Sequence, residues 1–433
     1  MRNNMYLENR NKLFAQLPEN SVAIVSSGSE TIRNRDVEYR FRAHSDFQYL
    51  TGFAEPDAVL LLVKKATQET VLFLREKDPE KETWEGRRLG VDKACDVLAV
   101  DHSFAIDSLE HEALEFLLGC DHIFISFSEL ETWLQPVNDW IQMLKQQVRK
   151  GIDSPANIGD LDHILHEMRL FKSVEELDFM RKAAQISVNG HKQAMKAALN
   201  SEYEYQVQAE LEAEFKKHAS PRVAFNSIIA SGENACILHY TENNALLNKQ
   251  ALILVDAGAE YQGYAGDITT TFPASGKFSD AQALLYRLVL KAQAAAIEVI
   301  KPGVTYDQMH QAAIQVLTQG LVELGILQGD VPQLIEEKAY KPFFMHGTGH
   351  WLGMDVHDVG LYKIAGQWRE FEAGMVVTVE PGLYISEEHK DVEAKWHNIG
   401  IRIEDDVLVT AGGHEVLTKG LPRTVEEIEA FMK

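Results

Sequence analysis

Hydrophobic positions in the first part of the chain fall into short runs: SVAIVSSG from Ser21, AVLLLVKK from Ala58, TVLFLREK from Thr70 and HIFISF from His122. Each is about the length of a strand and rich in β-branched or aromatic residues, whereas HEALEFLLG from His111 spaces its apolar residues as a helix does. The alternation predicts an α/β domain. Within it, the runs Ala58 to Val63 and Thr70 to Leu74 flank a polar KKATQE stretch that can turn a hairpin. KGIDSPANIGDLD, residues 150–162, has the Gly and Pro content of a linker.

Beyond residue 171 the pattern changes. Ser173 followed by Glu176 matches a capping box, so a long helix is expected to begin at Val174. Apolar stripes at helical spacing run to about Leu199, through 203–217, over 279–300 before Pro302-Gly303, and over 305–325. Strands are expected at FNSIIASG, ALILVDAG, MVVTVEP and IGIRIEDDVLVT. The 433 residues exceed the roughly 250 to 300 at which single cores stop growing. The expectation is therefore an N-terminal α/β domain over 1–171 and a second, mixed α and β domain over 172–433.

Composition narrows the functions open to such a chain. With 45% hydrophobic and 25% charged residues it is an ordinary globular mixture. The formal charge of −23 repels phosphate backbones and anionic lipid, which argues against nucleic acid and membrane surfaces as partners. MRNNMYLENRNKLF has no apolar core of a leader, and no apolar run approaches the roughly 18 residues of a membrane span. A cytoplasmic protein is expected. Cys95, Cys120 and Cys236 are widely spaced and odd in number, which favours reduced thiols over a disulfide framework.

Candidate chemistry lies in the second domain. LILVDAGAEYQGYAGDITTTFP reads as strand, turn and strand. With Tyr261 and Gln262 at the tip, Asp256 and Asp267 face each other on one side of the hairpin. Like charges so placed repel, so a cation is expected between them. Two solvated aspartates are the alternative, and a one-residue bulge would separate them. By strand alternation Thr378 shares a face with Glu380, and Arg402 with Glu404, while Ile401 and Ile403 point into a core. Burying Arg402 beside Glu404 needs compensation, either by a metal-holding carboxylate cluster or by a simple ion pair. FFMHGTGHWLGMDVHDVG adds His346, His350 and His357 within a glycine-rich segment. Neutral imidazoles bind metals commonly, although the spacing is not that of the HExxH zinc proteases.

HYTEN at 239–243, the Asp256/Asp267 hairpin, HGTGHWLGMDVHD at 346–358, TVEPGLYI at 378–385 and GIRIEDD at 400–406 resemble the pita-bread metallopeptidase family. Within it they are similar to the Xaa-Pro aminopeptidase (aminopeptidase P) branch. FRAHSDFQYLTGFAEPDAVLLL at 41–62 and WEGRRLG at 84–90 extend the resemblance to the N-terminal domain, which methionine aminopeptidases typically lack. Departures are Phe225 and Ala235, where relatives often have tyrosine and glycine, and His397-Asn398 before GIRIED.

The resemblance implies a pita-bread catalytic domain. It also implies two divalent metal ions, Mn²⁺ by first choice with Zn²⁺ or Co²⁺ as options, on Asp256, Asp267, His350, Glu380 and Glu404. Glu380 would also carry the proton of the attacking water, and His357 would donate to the developing oxyanion. His239 and His346 would orient the substrate, and Arg402 a metal ligand, with Tyr384. Trp84 and Tyr240 are candidates to line a proline pocket, or, for Trp84, to pack in a core. The implied activity is release of the N-terminal residue from peptides with proline second. An Xaa-Pro dipeptidase and a non-catalytic peptide-binding module on the same fold are the alternatives. The N-terminal domain would be non-catalytic and would serve self-association, as dimer or tetramer, and substrate access.

Overall fold

In the computed structural model, which describes residues 2–433, the apolar runs of the N-terminal region lie in one six-stranded sheet. The chain divides into two units, Met1–Arg169 and Leu170–Lys433.

In the first unit the strand order is His102–Ala105, Gln68–Leu74, Val59–Lys64, Ser21–Ser26, His122–Ile125, Asn157–Asp160. Val59–Lys64 and Gln68–Leu74 form the expected hairpin, closed by the pair Lys64↔Gln68, and His102–Ala105 at one edge and His122–Ile125 and Asn157–Asp160 at the other each run parallel to the strand inside them. Ser21–Ser26 is buried along its whole length, which is why it reads as a continuous apolar run. Trp133, Val137, Trp140 and Leu144 of one helix, at spacings of three and four, pack on the sheet.

Two features of this unit depart from expectation. The stretch read as a linker contains the edge strand Asn157–Asp160, whose four residues are too short and too polar to leave a period. Arg2–Gln16 is a helix that the sequence pattern did not announce. Its buried face includes Asn9 and Arg10, and their side chains donate to the carbonyls of Tyr49, Leu50 and Ala99. A helix that buries amide and guanidinium groups lacks the apolar stripe by which helices are recognised.

The second unit is built on helices Val174–Ala198, Glu204–Lys217, Asp280–Glu298 and Tyr306–Glu323. The Ser173/Glu176 capping box is present, and Ser279/Gln282 and Thr305/Gln308 form two more. One three-stranded sheet joins Ile228–Ser231, Leu252–Asp256 and Thr269–Pro273, and another joins Val376–Val379, Asp405–Thr410 and Gly413–Val416. A large apolar cluster packs the first of these sheets against the helices and includes Ile401 and Ile403, both fully buried, while the second sheet packs Val377, Val379, Val407 and Val409 in a separate cluster with Trp351 and Phe371. Among the described residues no helix is long and apolar enough to cross a membrane.

The registers near the acidic residues revise the expected geometry. The hairpin tip lies at Gln262-Gly263, since Tyr261 pairs with Tyr264 and Asp256 with Thr269. Asp267 is thus not opposite Asp256. The shift moves each partner by two residues, which preserves the face, so the aspartates are diagonal neighbours on one side of the ribbon. IGIRIEDDVLVT is two strands, Ile399–Arg402 and Asp405–Thr410, in different sheets. The pairs Gly382↔Arg402 and Val379↔Asp405 keep one register across the break, and Ile403 N–H donates to Pro381 O. That register sets Glu380 and Glu404 opposite each other, the relation expected of the aspartates.

Candidate active site

The break in each ribbon delivers a carboxylate pair to the same place. Asp256 ends its strand, Asp267 lies between two short strands, Glu380 follows Val379, and Glu404 precedes Asp405. A ladder that is interrupted there leaves side chains at its open end free to converge.

The histidine segment is pinned across this end. His350 N–H donates to Thr378 Oγ1 and Thr378 N–H to His350 O, both at 2.9 Å. Glycine is required at 349, because a Cβ there would sit 1.8 Å from Thr378 O. His350 Nδ1–H donates to Trp351 O at 3.0 Å, and in the neutral ring this leaves Nε2 as a lone-pair donor. Nε2 faces Asp267 Oδ2 at 3.4 Å and Glu380 Oε1 at 3.6 Å. Asp267, His350 and Glu404 each present a ligand atom within 4.8 Å of the others.

Arg402 is buried behind the carboxylates, with Nη2 donating to Asp256 Oδ2 at 2.5 Å, Nη1 to Tyr384 OH at 3.0 Å and Nε to Thr269 Oγ1 at 3.1 Å. Thr269 Oγ1 in turn donates to Glu404 Oε2 at 2.6 Å. His346 Nδ1–H donates to Gly347 O, so its Nε2 accepts from Tyr384 OH at 2.8 Å. Burial, helped by Arg402, pushes His346 down to about 3, which keeps the ring neutral. His357 stacks edge-on to His350 with ring centroids 4.4 Å apart.

The five expected metal ligands and four expected catalytic residues line one cavity of about 380 Å³: Asp256, Asp267, His350, Glu380, Glu404, His239, His346, His357 and Arg402. Tyr240 does not. It is buried in a cluster with Ile228 and Leu254, and its hydroxyl donates to Glu204. Trp84 belongs to the N-terminal unit, on the short helix Pro79–Glu85, and is 84% exposed, so core packing does not hold it. Phe225, marked from the sequence as a departure from relatives, lies in an apolar wall whose other members, Ile228, Leu238 and Val356, sequence reasoning missed. Apolar residues in strands and loops read as core, and only their position shows that they face a cavity.

The electrostatics fit divalent cations. Asp256 Oδ1 and Asp267 Oδ1 are buried without a hydrogen-bond partner, a state that a bound ion relieves. Burial, then the charges of Asp256, Asp406 and Glu380, hold the Asp267 carboxyl well above its usual range. Burial, then Asp267, Glu380 and Asp256, does the same for Glu404. Glu380 is raised by burial, against which His350 and Arg402 work. Four carboxylates thus share one arginine.

Residues 178–411 match metallopeptidase family M24, and residues 6–124 match the N-terminal domain of aminopeptidase P. The chain is 45% identical to an Xaa-Pro aminopeptidase of Haemophilus influenzae, over 98% of this chain and 96% of the relative. Its fold is similar to that of Pseudomonas aeruginosa aminopeptidase PepP, with a TM-score of 0.98 and 47% identity over 100% of this chain and 98% of that one. A zinc-substituted Escherichia coli aminopeptidase P in complex with product aligns with a TM-score of 0.97 and 41% identity, over 100% and 98% of the two chains. The donor set at the ribbon ends and these matches agree: the chain belongs to metallopeptidase family M24, as a hydrolase in the branch that carries an aminopeptidase P N-terminal domain.

Proposed function

We propose that the protein is an Xaa-Pro aminopeptidase that uses two divalent metal ions held by Asp256, Asp267, His350, Glu380 and Glu404. The observation that carries this reading is the convergence of all five donors, with two buried aspartate oxygens lacking partners, in one cavity with three further histidines. Four carboxylates and a neutral imidazole carry a charge of about −4, matched by two divalent ions, and the oxygen-rich set favours Mn²⁺ among the candidates. When bound, such a pair acidifies a water molecule and polarises a carbonyl oxygen.

The protein's own groups then have distinct tasks. Glu380 Oε1 faces His350, which leaves Oε2 to take the proton of the attacking water and return it to the leaving proline nitrogen. His357 and His239 are exposed in the cavity and donate to the carbonyl oxygen as it gains charge. His346, held neutral between Gly347 and Tyr384, orients the substrate on the proline side. Arg402 fixes Asp256 directly and Glu404 through Thr269. The Xaa-Pro bond is a tertiary amide without an N–H, so this set of acceptors and imidazoles is asked for no amide contact that proline cannot make.

The test is hydrolysis of an Xaa-Pro dipeptide against an Xaa-Pro-Yaa tripeptide by protein reconstituted with Mn²⁺, Zn²⁺ or Co²⁺. Tripeptide cleavage with release of Xaa, fastest with Mn²⁺, is expected. Cleavage of the dipeptide alone would overturn the aminopeptidase reading in favour of a dipeptidase. For the N-terminal unit the proposal is self-association to a dimer or tetramer. Exposed Ile32, Val37 and Tyr39 support it, and sedimentation reads it.

A further inference from the structure

Glu204 has no exposed surface, lies in the first turn of the helix Glu204–Lys217, and belongs to none of the groups that line the cavity. Its carboxylate accepts four hydrogen bonds. Oε1 receives Ser231 N–H at 2.8 Å and Asn234 Nδ2 at 3.1 Å, and Oε2 receives Tyr240 OH at 2.8 Å and Ala245 N–H at 3.0 Å. Four donors use the full acceptor capacity of a carboxylate. All are neutral, all come from residues 231–245, and no lysine or arginine pairs with Glu204 among the described residues.

The same helix face continues the contact at positions 208 and 212, one and two turns further on. Asn243 Nδ2 donates to Gln208 Oε1 at 3.0 Å, and Ser227 Oγ to Glu212 Oε1 at 3.0 Å, while Gln208 Nε2 links to Glu212 at 2.8 Å. Asn243 Oδ1 accepts from Ile229 N–H at 2.8 Å. The segment so held, from Ser227 to Ala245, turns its other side to the cavity. His239 and Thr241 line it, while the intervening Tyr240 and the nearby Asn243 are buried toward the helix. Ile228 and Leu238, two of the four apolar residues of the cavity wall, lie within the clamp, and Phe225 lies just before it.

A buried carboxylate costs several kcal/mol unless its lone pairs are satisfied, so the segment and the helix constrain each other. The segment supplies the donors that the carboxylate needs, and the carboxylate fixes where that segment lies. Burial, together with the Glu204 bond, pushes the Tyr240 hydroxyl up to about 12, so it remains a donor over the working pH range. We propose that Glu204, backed by Gln208 and Glu212, is a positioning residue that sets the substrate-facing segment 227–245, and with it His239 and the apolar wall, independently of the metal ligands. This rests on the peptide-hydrolysing reading above.

The experiment uses full-length, metal-reconstituted protein carrying Glu204→Gln or Tyr240→Phe. Glutamine keeps the size of the side chain but turns an amide NH₂ toward two donors. Readouts are kcat and KM for Xaa-Pro-Yaa tripeptides with a small or a bulky apolar Xaa, metal content, and amide exchange over 227–245. Glu204→Gln should lower kcat/KM on the order of 10- to 100-fold through misplacement of the segment. It should also raise KM, change the ratio between the two substrates and speed exchange at Ser231 and Ala245, with metal content as in the parent. Tyr240→Phe removes one donor, should act in the same direction with smaller size, and carries the test if the glutamine variant does not fold. An unchanged KM and substrate ratio in both variants, or metal loss in step with activity, overturns the proposal. A parent that cleaves no Xaa-Pro peptide sinks the functional reading instead, and the exchange measurement still tests the clamp.

Discussion

Asp267 and Glu204 are both carboxylates almost without exposed surface in the same unit, yet their surroundings are opposite. Glu204 is met by four neutral donors and lies in the first turn of a helix, where the aligned peptide dipoles favour negative charge. Asp267 shares its surroundings with Asp256, Asp406 and Glu380, and one of its oxygens has no partner. The first site is complete as protein. On the reading proposed above, the second is completed by cations, which balance the clustered negative charge that neutral donors do not. Buried charge by itself therefore says little about function, whereas the sign and number of its neighbours say a great deal.

This contrast can be broken or sharpened by changing single carboxyls to amides. The largest effect is expected from Glu380→Gln, which keeps size but removes the proton acceptor. We expect kcat for tripeptide cleavage to fall on the order of 1000-fold, and near-full activity in metal-replete buffer would contradict the assigned role. Next comes Glu204→Gln, expected to lower stability by about 2–3 kcal/mol because buried N–H and O–H donors lose their acceptor. Urea unfolding of the metal-free protein reads this, and a neutral result would mean that the clamp relaxes.

A carboxylate paired with a cation supplies the intermediate case. In the N-terminal unit, burial opposes the charge of Asp46, but Arg169 at 2.8 Å and His166 outweigh it and bring the group from 3.8 down to about 2. A folded-state value below the unfolded one stabilises the protein above the unfolded value, and that contribution disappears as pH falls through about 2. Asp46→Asn should therefore cost about 2 kcal/mol at pH 7, with the difference from the parent shrinking between pH 4 and 2 in pH-dependent unfolding. Smallest, and of opposite sign, is Asp267→Asn. In metal-free protein it relieves repulsion and should raise stability by about 1 kcal/mol, while calorimetric titration should show weaker metal binding. Destabilisation of the metal-free protein would show that repulsion does not dominate there.

Much of the fold was legible because its signals are local. Ser173 with Glu176 marked the start of a helix to the residue, and the β-branched run at Leu252–Asp256 marked a strand. Failures came where the signal was polar or non-local. The Arg2–Gln16 helix buries Asn9 and Arg10, and the Asn157–Asp160 strand exists only because it pairs with His122–Ile125. At the site, the nine residues that line one cavity were picked out by carboxylates that end apolar runs, by clustered histidines and by family resemblance. Their relations were not. A hairpin tip one residue later made the aspartates diagonal, and the glutamates, never compared with each other from sequence, proved to be the opposed pair.

Sequence alone determined which groups are present and which face of each strand they take, since alternation along a strand survives any shift of register by two. It also determined, through motifs that span nearly the whole chain, the family to which the protein belongs. Tertiary structure decided how many donors each buried carboxylate meets. Those donors come from elements far apart in the chain, such as Arg402 on Asp256 and Ala245 on Glu204. Hydrogen bonding and charge act over a few ångströms of space rather than of sequence, so only the folded chain separates a carboxylate crowded by like charges from one met by four neutral donors.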